Sequence, residues 1–150
     1  MERPGRILVI DASVVTKWYI EEDYSSQALA LRNDYVKRRV DLASSQLLPY
    51  EVLNALKRNP EFGPEDLRTV AKSLQKATLP LYPILGELAD STIEMAVKYG
   101  ITIYDSSYIA LADFLGSTAF TADEKLLAKV GKTAAFSHIS NYGKRHLGAH

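Results

Sequence analysis

The fold is decided by the stretch Ile7-Leu8-Val9-Ile10-Asp11, four consecutive apolar residues followed by an acid. A short apolar run without polar alternation is typical of a strand that is buried on both faces of a parallel sheet. We therefore predict a central strand over residues 6–10. An ionised carboxylate is costly to bury without a partner, so the acid that ends this run requires a physical explanation.

Three further apolar runs end in a carboxylate in the same way. They are Leu47-Leu48-Pro49-Tyr50-Glu51, Ile101-Thr102-Ile103-Tyr104-Asp105 and Ala119-Phe120-Thr121-Ala122-Asp123. If the fold brings the four acids together, each pair of like charges about 4 Å apart repels by about 4 kcal/mol at an effective dielectric constant of about 20. A divalent cation would relieve this repulsion, and oxygen-only ligands favour magnesium or manganese over zinc. The pattern thus predicts a metal-dependent enzyme.

Strand-like and helical segments alternate along the chain, which predicts an α/β sandwich around a mostly parallel sheet of about five strands. Strands are expected at residues 6–10, 40–43, 79–82, 118–121 and 133–136. Helices are expected at residues 14–20, 24–39 with Asp23 as the N-cap, 47–58, 64–77, 84–99, 105–116 and 124–130. Ligands of open α/β sheets bind outside the carboxyl ends of the strands, where Asp11 and Asp123 are expected.

The composition excludes several kinds of protein. The 150 residues suit a single domain over residues 1–150, and 18 basic residues balance 18 acidic ones. Because the net charge is zero, any binding of nucleic acid has to use a local basic patch. The absence of cysteine excludes disulfides, thiolate nucleophiles and Cys-based zinc sites. No apolar window has the length of a signal-peptide core or a transmembrane helix, so we expect a cytoplasmic protein without a membrane contact.

Each candidate acid also has a purely structural interpretation. Asp11 could cap the following helix, and Asp105 could be a first-turn acid that the helix dipole stabilises. Glu51 borders the buried face of its helix, which is an unusual place for a surface acid. Ser13 and Thr121 stand two residues from an acid, where a hydroxyl could orient a carboxylate, although a helix start and a strand residue explain them as well. Taken together, the acids favour a shared site.

Four pieces of the chain resemble the PIN-domain nucleases, and most closely the VapC-type toxins of prokaryotic toxin–antitoxin pairs. The pieces are Val9-Ile10-Asp11-Ala12-Ser13, Glu51-Val52-Leu53-Asn54-Ala55-Leu56, Tyr104-Asp105-Ser106-Ser107-Tyr108-Ile109-Ala110-Leu111-Ala112 and Phe120-Thr121-Ala122-Asp123-Glu124-Lys125-Leu126. They occur in the family's order and at similar intervals over the whole chain.

The resemblance implies a three-layer α/β/α fold and a ribonuclease that depends on magnesium or manganese. It assigns the acidic metal site to Asp11, Glu51, Asp105 and Asp123, with support from the hydroxyls of Ser13 and Thr121. It also implies that residues 101–104 form an extended lead-in to a helix and not a central strand. An antitoxin partner and a homodimer are expected, with a candidate surface around Trp18-Tyr19 and residues 67–74, although buried packing accounts for most of those residues.

The expected reaction is hydrolysis of an RNA phosphodiester, in which the carboxylates hold one or two cations that activate water. Lys17, Arg58 and Lys125 lie near the acids in sequence and are candidates for RNA binding, with ordinary solvated charges as the alternative. Two other functions stay open. One is a non-catalytic interaction module with the same fold. The other is a phosphoaspartyl phosphatase, which usually has a second carboxylate where this chain has Ser13.

Overall fold

The central feature of the computed structural model, which describes residues 6–133 and 135–143, is a sheet of five parallel strands. The strands are β1 (Ile7–Ile10), β2 (Asp41–Ser45), β3 (Leu81–Tyr82), β4 (Thr118–Thr121) and β5 (Phe136–His138). Their order is β3-β2-β1-β4-β5, and each neighbouring pair is parallel. Leu8, Val9 and Ile10 of β1 are buried on both faces, as the apolar run predicts. The predicted fold class is confirmed.

Seven α-helices connect the strands within the described residues. They are α1 (Ala12–Val15), α2 (Ser25–Val36), α3 (Leu48–Lys57), α4 (Pro64–Ala77), α5 (Gly86–Tyr99), α6 (Ile103–Phe114) and α7 (Glu124–Val130). One-turn 3-10 helices cover Thr16–Trp18 and Ile139–Asn141. No helix in this part of the chain combines the length and the apolar character that crossing a membrane would require. His146 and His150, which have metal-ligand spacing but received no role in the sequence analysis, lie outside the described residues.

The connections fix the layers and the position of the site. The chain moves from β1 to β2 and β3 in one direction, then crosses back through α5 and α6 to β4 and continues to β5. Because such crossovers are right-handed, α1–α4 cover one face and α5–α7 the other. The direction of winding reverses between β1 and β4, and ligand sites of open sheets lie at this switch point.

Two predicted helix starts differ from the structure for local reasons. Helix α2 is preceded by Tyr24 in a left-handed conformation, and Asp23 does not cap it. Helix α6 begins at Ile103 and not at Asp105, because the Thr102 hydroxyl caps it by accepting from the Asp105 N–H at 3.0 Å. The resemblance implies an extended lead-in over residues 101–104. Residues 101–102 lead into the helix without forming a strand, whereas residues 103–104 already belong to the helix.

The last strand occupies Phe136–His138 and not residues 133–136. Its register pairs Ala119 with Phe136 and Thr121 with His138, so the strand runs past the apolar stretch that predicted it. Thr133 forms an isolated antiparallel bridge instead. The apolar pattern missed this strand because two of its three residues are polar.

Candidate functional site

The ends of β1 and β4 hold the first acid of the site. Asp11 follows β1 directly and is 5% exposed. Its Oδ1 accepts hydrogen bonds from the Ser13 hydroxyl at 2.6 Å and from the Val14 N–H at 3.2 Å. Asp11 therefore is a helix cap, as its structural interpretation proposed, and it also faces the switch point of the sheet.

Two hydroxyls join the end of β1 to the end of β4. Ser13 Oγ accepts from the Ala122 N–H at 2.7 Å and lies 3.2 Å from Thr121 Oγ1. Thr121 Oγ1 in turn accepts from the Asp123 N–H at 3.0 Å. These bonds hold the backbone that carries Asp11 and Asp123 in a fixed relative position.

The other three acids come from the starts of helices. Asp123 caps α7 by accepting from the Leu126 N–H at 3.0 Å, and its side chain is exposed. Asp105 lies in the first turn of α6 and Glu51 in the first turn of α3, and both are half-buried. Helix N-termini favour negative charge, so all three acids are stabilised locally by the dipoles of their helices.

All four acids line a single cleft of about 440 Å³, which we call the acid cleft. Lys17 and Arg58 also line it, and the described residues of its wall comprise five acids against two cations. The fifth acid is Glu22, which appears in the sequence as an ordinary surface acid. The sheet edge and three helix starts thus concentrate negative charge in one place.

Burial and the charges of neighbouring acids raise the pKa values of three carboxyls of the acid cleft. Burial raises the pKa of Asp11 to about 6, with a smaller contribution from the charge of Asp105. Burial also raises the pKa of Glu51, and again the charge of Asp105 adds to it. The pKa of Asp105 is raised first by burial and then by the charge of Asp123. The acids are therefore close enough to disfavour one another's ionisation.

A buried tyrosine holds Glu51 in place. Tyr108 lies three residues after Asp105 on the same side of α6, and its hydroxyl donates to Glu51 Oε1 at 2.5 Å. Burial and this bond raise the pKa of the Tyr108 hydroxyl, so it stays protonated and remains a donor. Sequence analysis includes Tyr108 in one of the four pieces that resemble the PIN-domain nucleases, but it assigns no role to this residue. Its spacing of three from an acid of the site was the signal that could have identified it.

The predicted cations have three different environments. Lys17 is 8% exposed, and its ammonium donates to Glu22 Oε2 at 2.9 Å. Arg58 is exposed on the wall of the acid cleft. Lys125 lies instead in an adjoining hollow with Lys129, beside Asp105 and Asp123. Lys129, which sequence analysis missed, lowers the pKa of Asp105 through its charge.

The donor chemistry of the acid cleft fits a hard divalent cation. The charged groups of the cleft that could coordinate a metal ion are carboxylates, and carboxylate oxygens favour magnesium or manganese. Within the described residues, no three carboxylate or histidine side chains are already drawn together into a ligand shell. The acids share a cleft without converging on one point, so binding an ion would require side-chain movement toward it.

The described geometry agrees with what comparisons with known proteins found. Residues 8–132 match the family model described as "PIN domain". "Ribonuclease VapC3" of Pyrobaculum aerophilum is 30% identical over 127 residues, which cover 81% of this chain and 93% of that protein. "Exonuclease VapC9" of the same organism is 32% identical over 112 residues, which cover 74% of this chain and 84% of that protein.

Solved structures are similar over nearly the whole chain. PAE2754 from Pyrobaculum aerophilum has a TM-score of 0.64 at 26% identity and covers 99% of this chain and 100% of its own. A chain of a toxin–antitoxin complex from Klebsiella pneumoniae has a TM-score of 0.65 at 15% identity and covers 88% of this chain and 97% of its own.

Proposed function

This chain belongs to the PIN-domain family, among proteins of the VapC type, and on that premise we propose that it is a metal-dependent endoribonuclease and the toxin of a toxin–antitoxin pair. The proposal rests above all on the acid cleft, which four carboxylates from separate parts of the chain line together. Burial, and to a smaller extent the charges of neighbouring acids, raise the pKa values of three of them, Asp11, Glu51 and Asp105. A fold gains nothing in stability from such repulsion. A bound cation would offset the repulsion between the carboxylates, because it attracts each of them.

Each acid would hold Mg²⁺ or Mn²⁺ through a carboxylate oxygen, and this ion would lower the pKa of a water and stabilise charge that develops on the phosphate oxygens. The chain's own residues would prepare the site. Ser13 and the Val14 N–H fix Asp11 through one oxygen, and Tyr108 fixes Glu51 in the same way. Such outer partners orient the ligand oxygens before the ion binds.

Lys17 and Arg58 would contact the phosphate of the bound RNA, because they are the two cations on the described wall of the acid cleft. Lys17 is held in a fixed position by Glu22, which limits the side-chain entropy lost on binding. Lys125 would contact the RNA a few nucleotides from the cleavage site, in the hollow that adjoins Asp123. No side-chain nucleophile is required for this hydrolysis.

The partners follow from the relatives. One similar structure is described as a toxin–antitoxin complex, which supports an antitoxin as the protein that restrains this chain. We expect a homodimer that acts in the cytoplasm, where RNA and the antitoxin would be available. Equilibrium sedimentation of the purified chain, alone and after co-expression with the product of a neighbouring gene, tests both assemblies.

A circular RNA substrate tests the reaction and separates an endonuclease from an exonuclease, the activity named for one relative. The wild-type chain is expected to open the circle with Mg²⁺ or Mn²⁺ and not with EDTA. Asp105→Asn is expected to abolish the reaction. Asp113→Asn, an exposed acid on the same helix, is the matched control and should cut like the wild type.

If the chain cuts linear RNA but not circular RNA, it is an exonuclease and not an endonuclease. Equal cutting in EDTA, or by Asp105→Asn, would contradict the metal-dependent site. Metal binding without any cutting would favour the non-catalytic interaction module.

A further inference from the structure

A second groove in the structure has the charge of a polyanion-binding surface. It lies between α2, the Thr16–Trp18 turn and α4, and its volume is about 730 Å³. We call it the basic groove. Its exposed charged side chains are Arg32, Arg38, Lys72 and Lys76, and none of the described residues that line it is acidic.

The acids nearest in sequence do not neutralise these four cations. Asp34 pairs with Arg39 at 3.4 Å, and Glu65 pairs with Arg68. Within residues 6–133 and 135–143, none of the four groove cations forms an ion pair with a carboxylate. One cation near the end of each helix would suffice to offset its dipole. Four leave an excess of positive charge for an external anion.

One of the four is held in a strained backbone conformation. Arg38 lies two residues after the end of α2 and has a φ of +62°, in the left-handed region that glycine adopts without strain. Its N–H donates to the Tyr35 carbonyl at 3.0 Å, and the Arg39 N–H donates to the Asp34 carbonyl at 2.8 Å. Glycine is the usual residue at this place in such a helix end. The chain instead carries a long cation there, at the rim of the groove.

The basic groove borders the acid cleft across a single helical turn. Lys17 lines the cleft, whereas its neighbours Trp18 and Tyr19 line the groove. The cleft alone repels a phosphate backbone, because acids outnumber cations on its described wall. A substrate strand that leaves the cleft past this turn enters a surface of opposite charge.

We propose that the basic groove binds the sugar–phosphate backbone of single-stranded RNA on one side of the cleavage site. This inference rests on the proposed ribonuclease function and names the surface that supplies affinity for a chain with no net charge. The hydroxyls that line the groove already have partners within the chain. Thr69 and Thr78 donate to backbone carbonyls, and Ser73 shares a hydrogen bond of 2.8 Å with the Tyr19 hydroxyl. The four cations are therefore the groups that would contact the phosphates. Among its described residues, Val36 is the one large apolar side chain that is exposed, and the exposed charged side chains are all cations, so charge would dominate the recognition of a ligand.

The test compares two double variants with the same change of charge. Lys72→Gln with Lys76→Gln removes two cations from the exposed side of α4, and glutamine has nearly the helix propensity of lysine. Lys98→Gln with Lys132→Gln removes two exposed lysines outside both the groove and the cleft. Binding of a fluorescent single-stranded RNA of about 12 nucleotides is measured by anisotropy in EDTA, as a function of salt.

The groove variant is expected to lower the slope of log K against log salt by about 1.4, because each phosphate contact to a single strand contributes about 0.7. At about 0.1 M salt this corresponds to a loss of affinity of about 25-fold. The control variant should bind like the wild type. Arg38→Gly should lower the slope by about 0.7 while it relieves backbone strain, so a failure to fold cannot explain its effect.

Cleavage kinetics separate this inference from the proposed function. With Mg²⁺, the groove variant should raise KM for a long RNA at unchanged kcat, and it should cut a dinucleotide as the wild type does. If the wild type cuts RNA but the groove variants keep its affinity and salt slope, the inference is wrong and the proposed function stands. Loss of affinity for a poly-glutamate peptide with unchanged affinity for RNA would overturn it in favour of an acidic peptide.

Discussion

Replacing Asp11 by asparagine is expected to stabilise the folded chain while it disables the site. Burial raises the pKa of Asp11 from 3.8 to about 6. One pKa unit corresponds to about 1.4 kcal/mol, so keeping this buried carboxylate ionised at pH 7 costs the native state about 3 kcal/mol. Asparagine has the same shape, carries no charge and keeps an oxygen that can accept from Ser13 and the Val14 N–H. Asp11→Asn should therefore raise the free energy of unfolding at pH 7 by up to about 3 kcal/mol.

The pH dependence has a definite sign. Because the native pKa is higher than that of the unfolded chain, the native state binds more protons between about pH 4 and pH 6. The free energy of unfolding of the wild type should fall as the pH rises through this window and then level off. Glu51 and Asp105, whose pKa values burial also raises, act in the same direction. In the Asp11→Asn variant, the free energy of unfolding should keep only the smaller pH dependence that Glu51 and Asp105 contribute.

Urea denaturation in EDTA from pH 4 to pH 8 measures both effects. Asp113→Asn, on an exposed position, is the control and should change the free energy of unfolding by less than about 0.5 kcal/mol. The reasoning is refuted if Asp11→Asn is no more stable than the wild type at pH 7. A variant with the full pH dependence of the wild type would refute it as well.

Three further substitutions test how the acids are held. Tyr108→Phe removes the donor to Glu51 and should weaken Mn²⁺ binding about tenfold or more, measured by calorimetry, whereas Tyr104→Phe on the exposed side of the same helix should not. Ser13→Ala removes the hydroxyl that donates to the Asp11 carboxylate and accepts from the Ala122 N–H. It should lower the free energy of unfolding, measured in urea, by about 1–3 kcal/mol. Asp123→Asn keeps the cap of α7 and should leave the melting temperature nearly unchanged, yet it should weaken Mn²⁺ binding at least tenfold; equal binding would remove this acid from the site.

The sheet could be predicted from the sequence because its central strands are encoded locally. β1 is an apolar run that is followed directly by Asp11. β4 is buried along its whole length, and Asp123 stands two residues after its end. The position of β5 could not be predicted in this way, because its residues Ser137 and His138 are polar and extend the sheet through backbone pairing. The start of α6 was placed two residues late because a threonine cap outweighed the acid that follows it.

That the four acids share one cleft could be predicted because buried stretches rarely carry a charge. Ser13, which donates to Asp11, could be predicted as well, but two other residues of the cleft could not. Tyr108 and Glu22 join the site through contacts between residues far apart in sequence or through a surface that only the fold defines. The basic groove lies on the candidate surface around Trp18-Tyr19 and residues 67–74. Its charge could not be predicted, because its cations come from two segments of the chain that are separated by a strand and another helix.

The measurement that tests the central claim most directly is a calorimetric titration of the wild-type chain with Mn²⁺, repeated with the double variant of Asp11→Asn and Asp105→Asn. Cooperation of the carboxylates predicts saturable binding to the wild type and none to the folded double variant. Equal binding to both proteins, or none to the wild type, would contradict a shared cation site.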